Sequence, residues 1–338
     1  MTDRPFAGRS VAVTGASGFV GGAVAAALLA QGAQVRALVR SDAAGRTAAA
    51  LGATPVRGDL EDHDALRDLM HGCDLVVHVA GVNAGCIRDP APMYRVNVRG
   101  PAAVIEAAAA AGVARVVHTS SAAAVAEPPG SIGREDTEPT GRFATHYARS
   151  KYLGERAAFE AGRRTGVEVV CVGPSSVQGP GRTSGTAKLL LRVARADTAV
   201  LTRTWLSVVD VADCAAGHLL AARHGLAGER YLLSGASLST EEALSLLRRV
   251  TGRPRRVVWI PRAVVRAVAP LTALAALVGS TDPPLCPGMV HTLLHGHRYD
   301  GSRATRDLGL IYTPAEQTLR RAIAWYAARG MLGGAGPA

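Results

Sequence analysis

Val13 to Gly22 reads VTGASGFVGG. Its glycines Gly15, Gly18 and Gly21 recur at every third position, after the apolar run SVAVT (Ser10–Thr14) and before an alanine-rich helical pattern at Val20–Gln31. Glycine permits a tight turn with positive φ, and it lets backbone N–H groups approach a pyrophosphate at a helix N-terminus. Between a strand and a helix near the N-terminus, this spacing predicts a dinucleotide-binding loop. The cofactor contacts expected from it are Gly15, Ser17, Gly18, Phe19, Val20 and Gly21.

Outward from this loop, apolar runs alternate with helical patterns. QVRALV (Gln34–Val39), the segment ending in TPVRGDL, DLVVHVAG (Asp74–Gly81), ARVVHTSS (Ala114–Ser121) and GVEVVCV (Gly166–Val172) read as buried strands. DALRDLMHG and the long stretch from Met93 to Gly112 read as helices between them. The fold class expected is α/β, a Rossmann-type doubly wound parallel sheet with a smaller C-terminal substrate lobe. The dinucleotide-binding domain is expected over residues 1–173, with interleaved segments near 205–235. The substrate lobe is expected mainly over 174–330, with a tail at 331–338. VVDVADCAAGHLLAA (Val208–Ala222) reads as a core helix.

With 338 residues, 48% hydrophobic and 4% aromatic, the chain has an ordinary α/β composition. Its formal charge of +11 is spread as arginine along the whole sequence, with no basic block interleaved with aromatics. Nucleic-acid binding is therefore not expected, whereas small anionic molecules are. Cys73, Cys86, Cys171, Cys214 and Cys286 are odd in number, scattered and without a CxxC, which fits reduced thiols and a cytoplasmic setting. MTDRPFAGRS is no secretory signal, and the apolar run Ala263–Gly279 is interrupted by Arg266 and Pro270. No transmembrane segment is expected; peripheral membrane contact by that run is the lesser alternative to a helix of the substrate lobe.

The second strand ends in Arg40, where NAD-preferring sites carry an acidic residue. A guanidinium attracts a 2′-phosphate, so NADP is expected over NAD, although Arg40 could instead stack on the adenine or point into water. Asp59 and Leu60, after the third strand, are expected near the adenine. Ala80 and Gly81, after the fourth, are expected beneath the cofactor backbone.

His146–Arg156 reads HYARSKYLGER, with Tyr147 and Lys151 one helical turn apart. A free phenol has a pKa of about 10, and a lysine on the same helix face can favour its phenolate. HTLLHGH (His291–His297) invites a metal reading, but its 4- and 2-residue spacing contains no carboxylate or cysteine partner. The histidines read as helix-end residues, and no metal is expected.

TGASGFVG, GDL, VVHVAG, NVRG, HTSSAAAV and YARSK, in that order, resemble the extended short-chain dehydrogenase/reductases, the NAD-dependent epimerase/dehydratase family. GPSSVQGPG, SVVDVAD, GERYLLSG and YDGSRATRDLGL extend the likeness to roughly residues 10–330. Within the family the chain is most similar to the dihydroflavonol reductase, 3β-hydroxysteroid dehydrogenase and hopanoid-associated sugar epimerase group. The resemblance implies Tyr147 as general acid or base, Lys151 holding the nicotinamide ribose, and Ser121 orienting the substrate oxygen. Ser121 is preferred over Ser120 because the family's serine stands directly before the apolar run, here AAAV. Asn97 matches an asparagine of a proton relay in one-domain relatives, or serves as a kink or cap. Pro174 keeps the family's cofactor-side proline, while Gly173 and Gln178 depart from its arginine and tyrosine. Ala122 and Ala123 stand where dehydratases carry Asp-Glu, which argues against sugar dehydration.

The resemblance implies hydride transfer between nicotinamide and a secondary alcohol or ketone of a small molecule, with a sugar epimerase as the alternative. A non-catalytic cofactor sensor is a third reading that the Tyr147/Lys151 pair disfavours. Arg182, Lys188, Arg192 and Arg203 lie where a diphosphate clamp would, but scattered arginines are usually solvated surface. A homodimer through helices near Met93–Ala111 and His146–Arg164 is expected from the family.

Overall fold

The computed structural model of the protein describes residues 4–84, 87–267 and 287–332. Cys86, Cys286, most of the apolar run beginning at Ala263 and the final tail lie outside them.

The first half alternates β1 (Ser10–Thr14), α1 (Phe19–Ala30), β2 (Gln34–Val39), α2 (Asp42–Leu51), β3 (Thr54–Arg57), α3 (His63–Met70) and β4 (Leu75–His78). A helical stretch follows, with α4 (Ala91–Tyr94), a π-helical turn (Arg95–Arg99) and α5 (Gly100–Ala110), and then β5 (Arg115–Thr119). After α6 (His146–Thr165) and β6 (Glu168–Pro174), the chain leaves the sheet and returns as β10 (Arg230–Leu233). These seven strands form one parallel sheet in the order β10-β6-β5-β4-β1-β2-β3. Strand order reverses between β1 and β4, and ligands of open α/β sheets bind in the crevice outside the strand ends at that point.

Alternation along the strands divides the core. Val11 and Val13 join α1 and α8 (Val211–His224) on one face, while Ala12, Val76 and Val116 join α3, α5 and α6 on the other. A second lobe contains β7 (Ser176–Gln178), α7 (Thr186–Arg195), β8 (Thr198–Leu201), β9 (Trp205–Asp210), β11 (Ala236–Ser239), α9 (Thr240–Thr251) and β12 (Arg256–Trp259). Strands β11, β9 and β7 pair as one small sheet, and β12 and β8 as another. Val208–Asp210, read in the sequence as the start of a helix, is the end of β9; the helix begins at Val211. The Asp210 carboxylate caps it by accepting from Ala212 N at 2.8 Å. Among the described residues, no helix is long and apolar enough to cross a membrane.

One polar row crosses the central sheet near its C-terminal edge. Thr14, His78, His118, Cys171 and Arg230 are paired in register on five neighbouring strands. The rings of His78 and His118 stack at 5.2 Å, and Thr14 Oγ1 shares a hydrogen bond with His78 Nδ1 at 2.7 Å. On the opposite face, His218 of α8 bonds Thr119 Oγ1 at 2.9 Å. Burial drags His78 down to about 3 and His218 to about 4, and pushes His118 well below its ordinary value.

These shifts predict an acid-sensitive fold. The unfolded chain takes up imidazole protons near pH 6.5, whereas the folded chain refuses them until pH 3–4. Stability is therefore fully present above about pH 6.5 and falls below it, by several kcal/mol in order of magnitude at pH 4. Melting temperature measured across this range is expected to drop steeply, and His218→Phe is expected to flatten the drop. A melting temperature level down to pH 4 would contradict the account.

Candidate active site

The glycine loop is built for close approach. Gly15 has φ +77, and a Cβ there would lie 2.7 Å from Ala80 N; a Cβ on Gly21 would lie 2.1 Å from Gly15 O. The first turn of α1 therefore sits directly on the β1 turn, with the loop after β4 against it. Gly18, the N-cap of α1, offers no side-chain oxygen, which leaves first-turn N–H groups for an external acceptor. Ser17, Gly18, Phe19, Arg182, Ser184 and Val211 line a cleft of about 540 Å³ at this point. This cradle, which a Cβ would fill, fits a dinucleotide pyrophosphate.

Around the cleft the other cofactor positions divide. Arg40 is exposed at the end of β2, in no ion pair or hydrogen bond among the described residues. Asp42, two residues on, is engaged by Arg57 at 2.6 Å. Asp59 closes a turn by accepting from Glu61 N at 2.8 Å, and the Leu60 side chain is buried against Gly100. Ala80 N donates to Thr14 Oγ1 at 3.2 Å, which ties the loop after β4 to β1. Pro174 ends β6 beside Leu233 of β10.

Helix α6 carries the tyrosine and lysine. Thr145 caps it by accepting from Ala148 N at 3.0 Å, and Gly166 ends it with φ +79. Its inner face is made of small residues at helical spacing, Ala148, Gly154, Ala158 and Gly162, so it lies close against its neighbours. A Cβ on Gly154 would lie 1.9 Å from the Asn97 carbonyl oxygen. The π turn holds Asn97 there, and its amide clasps two segments at once. Nδ2 donates to Val82 O and Ser150 Oγ, each at 2.9 Å, and Oδ1 accepts from Val82 N at 2.8 Å. Asn97 thus joins the loop after β4 to α6, the cap-like alternative of the two readings. π turns recur at functional sites.

The Ser121 side chain stands beside the Tyr147 phenol and lowers its pKa, whereas Ser120 faces the buried Glu155. Burial raises the Tyr147 pKa; the Ser121 side chain and the charge of Arg182 oppose that rise. Lys151 Nζ donates to the Thr119 carbonyl at 2.6 Å and lies 3.7 Å from where a Gly81 Cβ would sit. Burial brings its ammonium down to about 8. A cation from outside α6, the Arg182 guanidinium, also acts on the phenol.

Arg182 also corrects the reading of surface arginines. It packs over the Phe19 ring at 5.6 Å and donates to Val177 O at 2.7 Å, between the glycine loop and Tyr147. Its position directly after GPG, the loop following β7, was the available signal. Arg203 does behave as surface, paired with Glu241 and stacked on Trp259. His146 is exposed and bonded to Tyr94 at 3.2 Å, away from the pocket. Gly173 has a physical reason to lack a side chain, because a Cβ there would lie 2.9 Å from Leu232 and 3.4 Å from the Ser121 carbonyl carbon. Gln178 donates to Ser176 Oγ at 2.9 Å and Thr186 Oγ1 at 2.7 Å.

A glycine cradle at the strand-order reversal, with a serine, tyrosine and lysine beside it, defines a nicotinamide-dinucleotide protein of the doubly wound class. Residues 11–234 match the model of the NAD dependent epimerase/dehydratase family. The chain belongs to that family, and with it to the extended short-chain dehydrogenase/reductases. It is 32% identical to sterol demethylase protein B of Methylococcus capsulatus, over 95% of this chain and 99% of that one. It is 34% identical to 4-hydroxy-2-methyl-3-oxo-4-farnesyl-3,4-dihydroquinoline-1-oxide ketoreductase of Stigmatella aurantiaca, over 88% and 90%. Among solved structures, it resembles PA4631 of Pseudomonas aeruginosa, a nucleoside-diphosphate-sugar epimerase. That likeness has a TM-score of 0.76 and 25% identity, over 96% of this chain and 99% of that one.

Proposed function

We propose that the protein is an NADP(H)-dependent reductase of ketones, or equivalently a dehydrogenase of secondary alcohols, with Tyr147 as its general acid or base. The observation that carries the reading is the placement of the Ser121 side chain beside the Tyr147 phenol, one helical turn from Lys151. Bound nicotinamide supplies or accepts the hydride. Ser121 holds the substrate oxygen, and the Tyr147 hydroxyl gives it a proton in reduction and takes one in oxidation. Because burial keeps Tyr147 a neutral phenol at neutral pH, the resting group is in the proton-donating form. Lys151, bonded to the Thr119 carbonyl, is held toward Gly81, where it can reach a ribose hydroxyl.

The names of two relatives refer to a sterol and to a farnesylated dihydroquinoline, which favours an apolar, polycyclic ketone as substrate. Likeness to a nucleoside-diphosphate-sugar epimerase supports a second reading on the same residues. A ketone panel followed at 340 nm separates them. A reductase consumes NADPH, whereas interconversion of sugar epimers without net NADPH loss would replace the first reading by the second.

Arg40, unpaired among the described residues, supports the preference for NADP. Arg40→Ala is expected to weaken NADPH binding by about tenfold, roughly 1.4 kcal/mol, and to leave NADH almost unchanged. Fluorescence titration with both cofactors reads this directly. An equal loss for the two would remove Arg40 from the 2′-phosphate.

A further inference from the structure

After Ser121 the chain makes one 3-10 turn, Ala122–Val125, and then an unusual step. Ala126 has φ +50, the one non-glycine residue with positive φ among those described. Such strain recurs at functional sites. The next residue is Glu127, whose side chain is 1% exposed.

A carboxylate buried to that degree is costly unless its oxygens are engaged. Glu127 Oε1 accepts from His297 Nδ1 at 2.7 Å, and His295 Nε2 stands 3.3 Å from the same oxygen. Among the described residues, Glu127 Oε2 has no hydrogen-bond partner, and neither does His295 Nε2. One ligand atom from each of the three residues lies within 4.8 Å of the other two. Burial alone raises the Glu127 pKa, but His295 and His297 outweigh it and hold the carboxyl below its ordinary value.

The two histidines reach this point by local design. His295 ends the helix Pro287–His295, and Gly296, with φ +71, reverses the backbone so that both imidazoles lie on one side, 4.4 Å apart. The following residues are pinned. Arg298 stacks on Trp205, and Tyr299 N donates to Ser207 Oγ at 3.0 Å. The Tyr299 hydroxyl lies 3.0 Å from His297 Nδ1, and its ring packs with Ala122 and Val125 of the turn directly after Ser121. The cluster therefore adjoins the reaction centre.

We propose that Glu127, His295 and His297 form a binding site for a first-row divalent transition-metal ion, of which Zn²⁺ is the type, beside the Ser121–Tyr147 centre. Two imidazoles and one carboxylate are the donors such ions select, whereas Mg²⁺ and Ca²⁺ take oxygen shells. Ligand atoms about 2.0–2.1 Å from a tetrahedral ion are about 3.3 Å apart. The His295–Glu127 separation already has that value; the His297–Glu127 contact opens by about half an ångström as the ion replaces the shared proton. A turn of the stacked rings aims both nitrogens at the ion. Three protein ligands leave a fourth position, which the Tyr299 hydroxyl can serve by bonding an ion-bound water.

The test uses the whole chain, stripped with a chelator and freed of any polyhistidine tag. Co²⁺ is titrated by visible absorption, and Zn²⁺ by competition with a chromophoric chelator. One equivalent per chain is expected, with d–d bands of a four- or five-coordinate site and a melting temperature raised by Zn²⁺. Glu127→Gln, which keeps the shape and polarity of the side chain, and His297→Ala are each expected to abolish the bands and the thermal shift. Exposed His224→Ala is expected to keep both. Absence of saturable binding, or binding that survives Glu127→Gln, overturns the site. Metal stoichiometry is read without turnover, so its failure leaves the reductase reading untouched, and an inactive protein leaves the metal result intact.

Discussion

Tyr147→Phe is expected to fold, melt close to the parent temperature and bind NADPH normally, yet lose turnover by about 10²–10⁴-fold. The phenol oxygen stands beside Ser121 in the candidate site and not in the hydrophobic core, so little stability depends on it. Loss of the oxygen removes the group that would exchange a proton with the substrate while the glycine cradle stays whole. Steady-state assay beside cofactor titration separates the two effects. Turnover within a few-fold of the parent would move the acid–base role elsewhere.

Gly21→Ala is expected to be nearly as damaging by an entirely different route. The new Cβ would lie 2.1 Å from Gly15 O and 2.6 Å from Gly15 C, backbone atoms with no rotamer by which to yield. The N-terminus of α1 must move off the β1 turn, at a cost of about 3 kcal/mol, and the cofactor cradle opens with it. Thermal melting and NADPH titration should both fall, the latter by on the order of 100-fold. Gly22→Ala provides the contrast. Its Cβ meets Ala16 O at 3.2 Å in a helix interior, where alanine regains roughly 1 kcal/mol of propensity. Similar behaviour of the two variants would contradict the packing role assigned to Gly21.

Much of the candidate site was legible because its signals are local. A glycine every third residue specifies a turn by conformational necessity, and Tyr147 and Lys151 share a helix face by periodicity alone. The end of β9 was not legible in the same way, since Val208 and Val209 suit a buried strand or a buried helix equally. Only Asp210, a good N-cap, marked the boundary. Arg182 escaped because its burial depends on Phe19, more than 160 residues earlier. Glu127 and His297 are 170 residues apart and meet only through the fold, so HTLLHGH by itself carries no sign of the carboxylate that faces it. The π turn at Asn97 likewise carries no periodic signature, since the surrounding pattern continues as an ordinary helix.

The His78–His118 stack has a bearing on where the protein can work. These rings lie on the strands that carry the loops of the cleft, and Lys151 is near enough that its charge helps keep them unprotonated. A drop in pH therefore attacks the molecule at the floor of its cleft before it reaches the outer shell. Inactivation and collapse should coincide in acid, with no intact but idle form between them. The lower bound of the working range is thus set by the architecture under the cleft, whatever the proton demand of the chemistry above it.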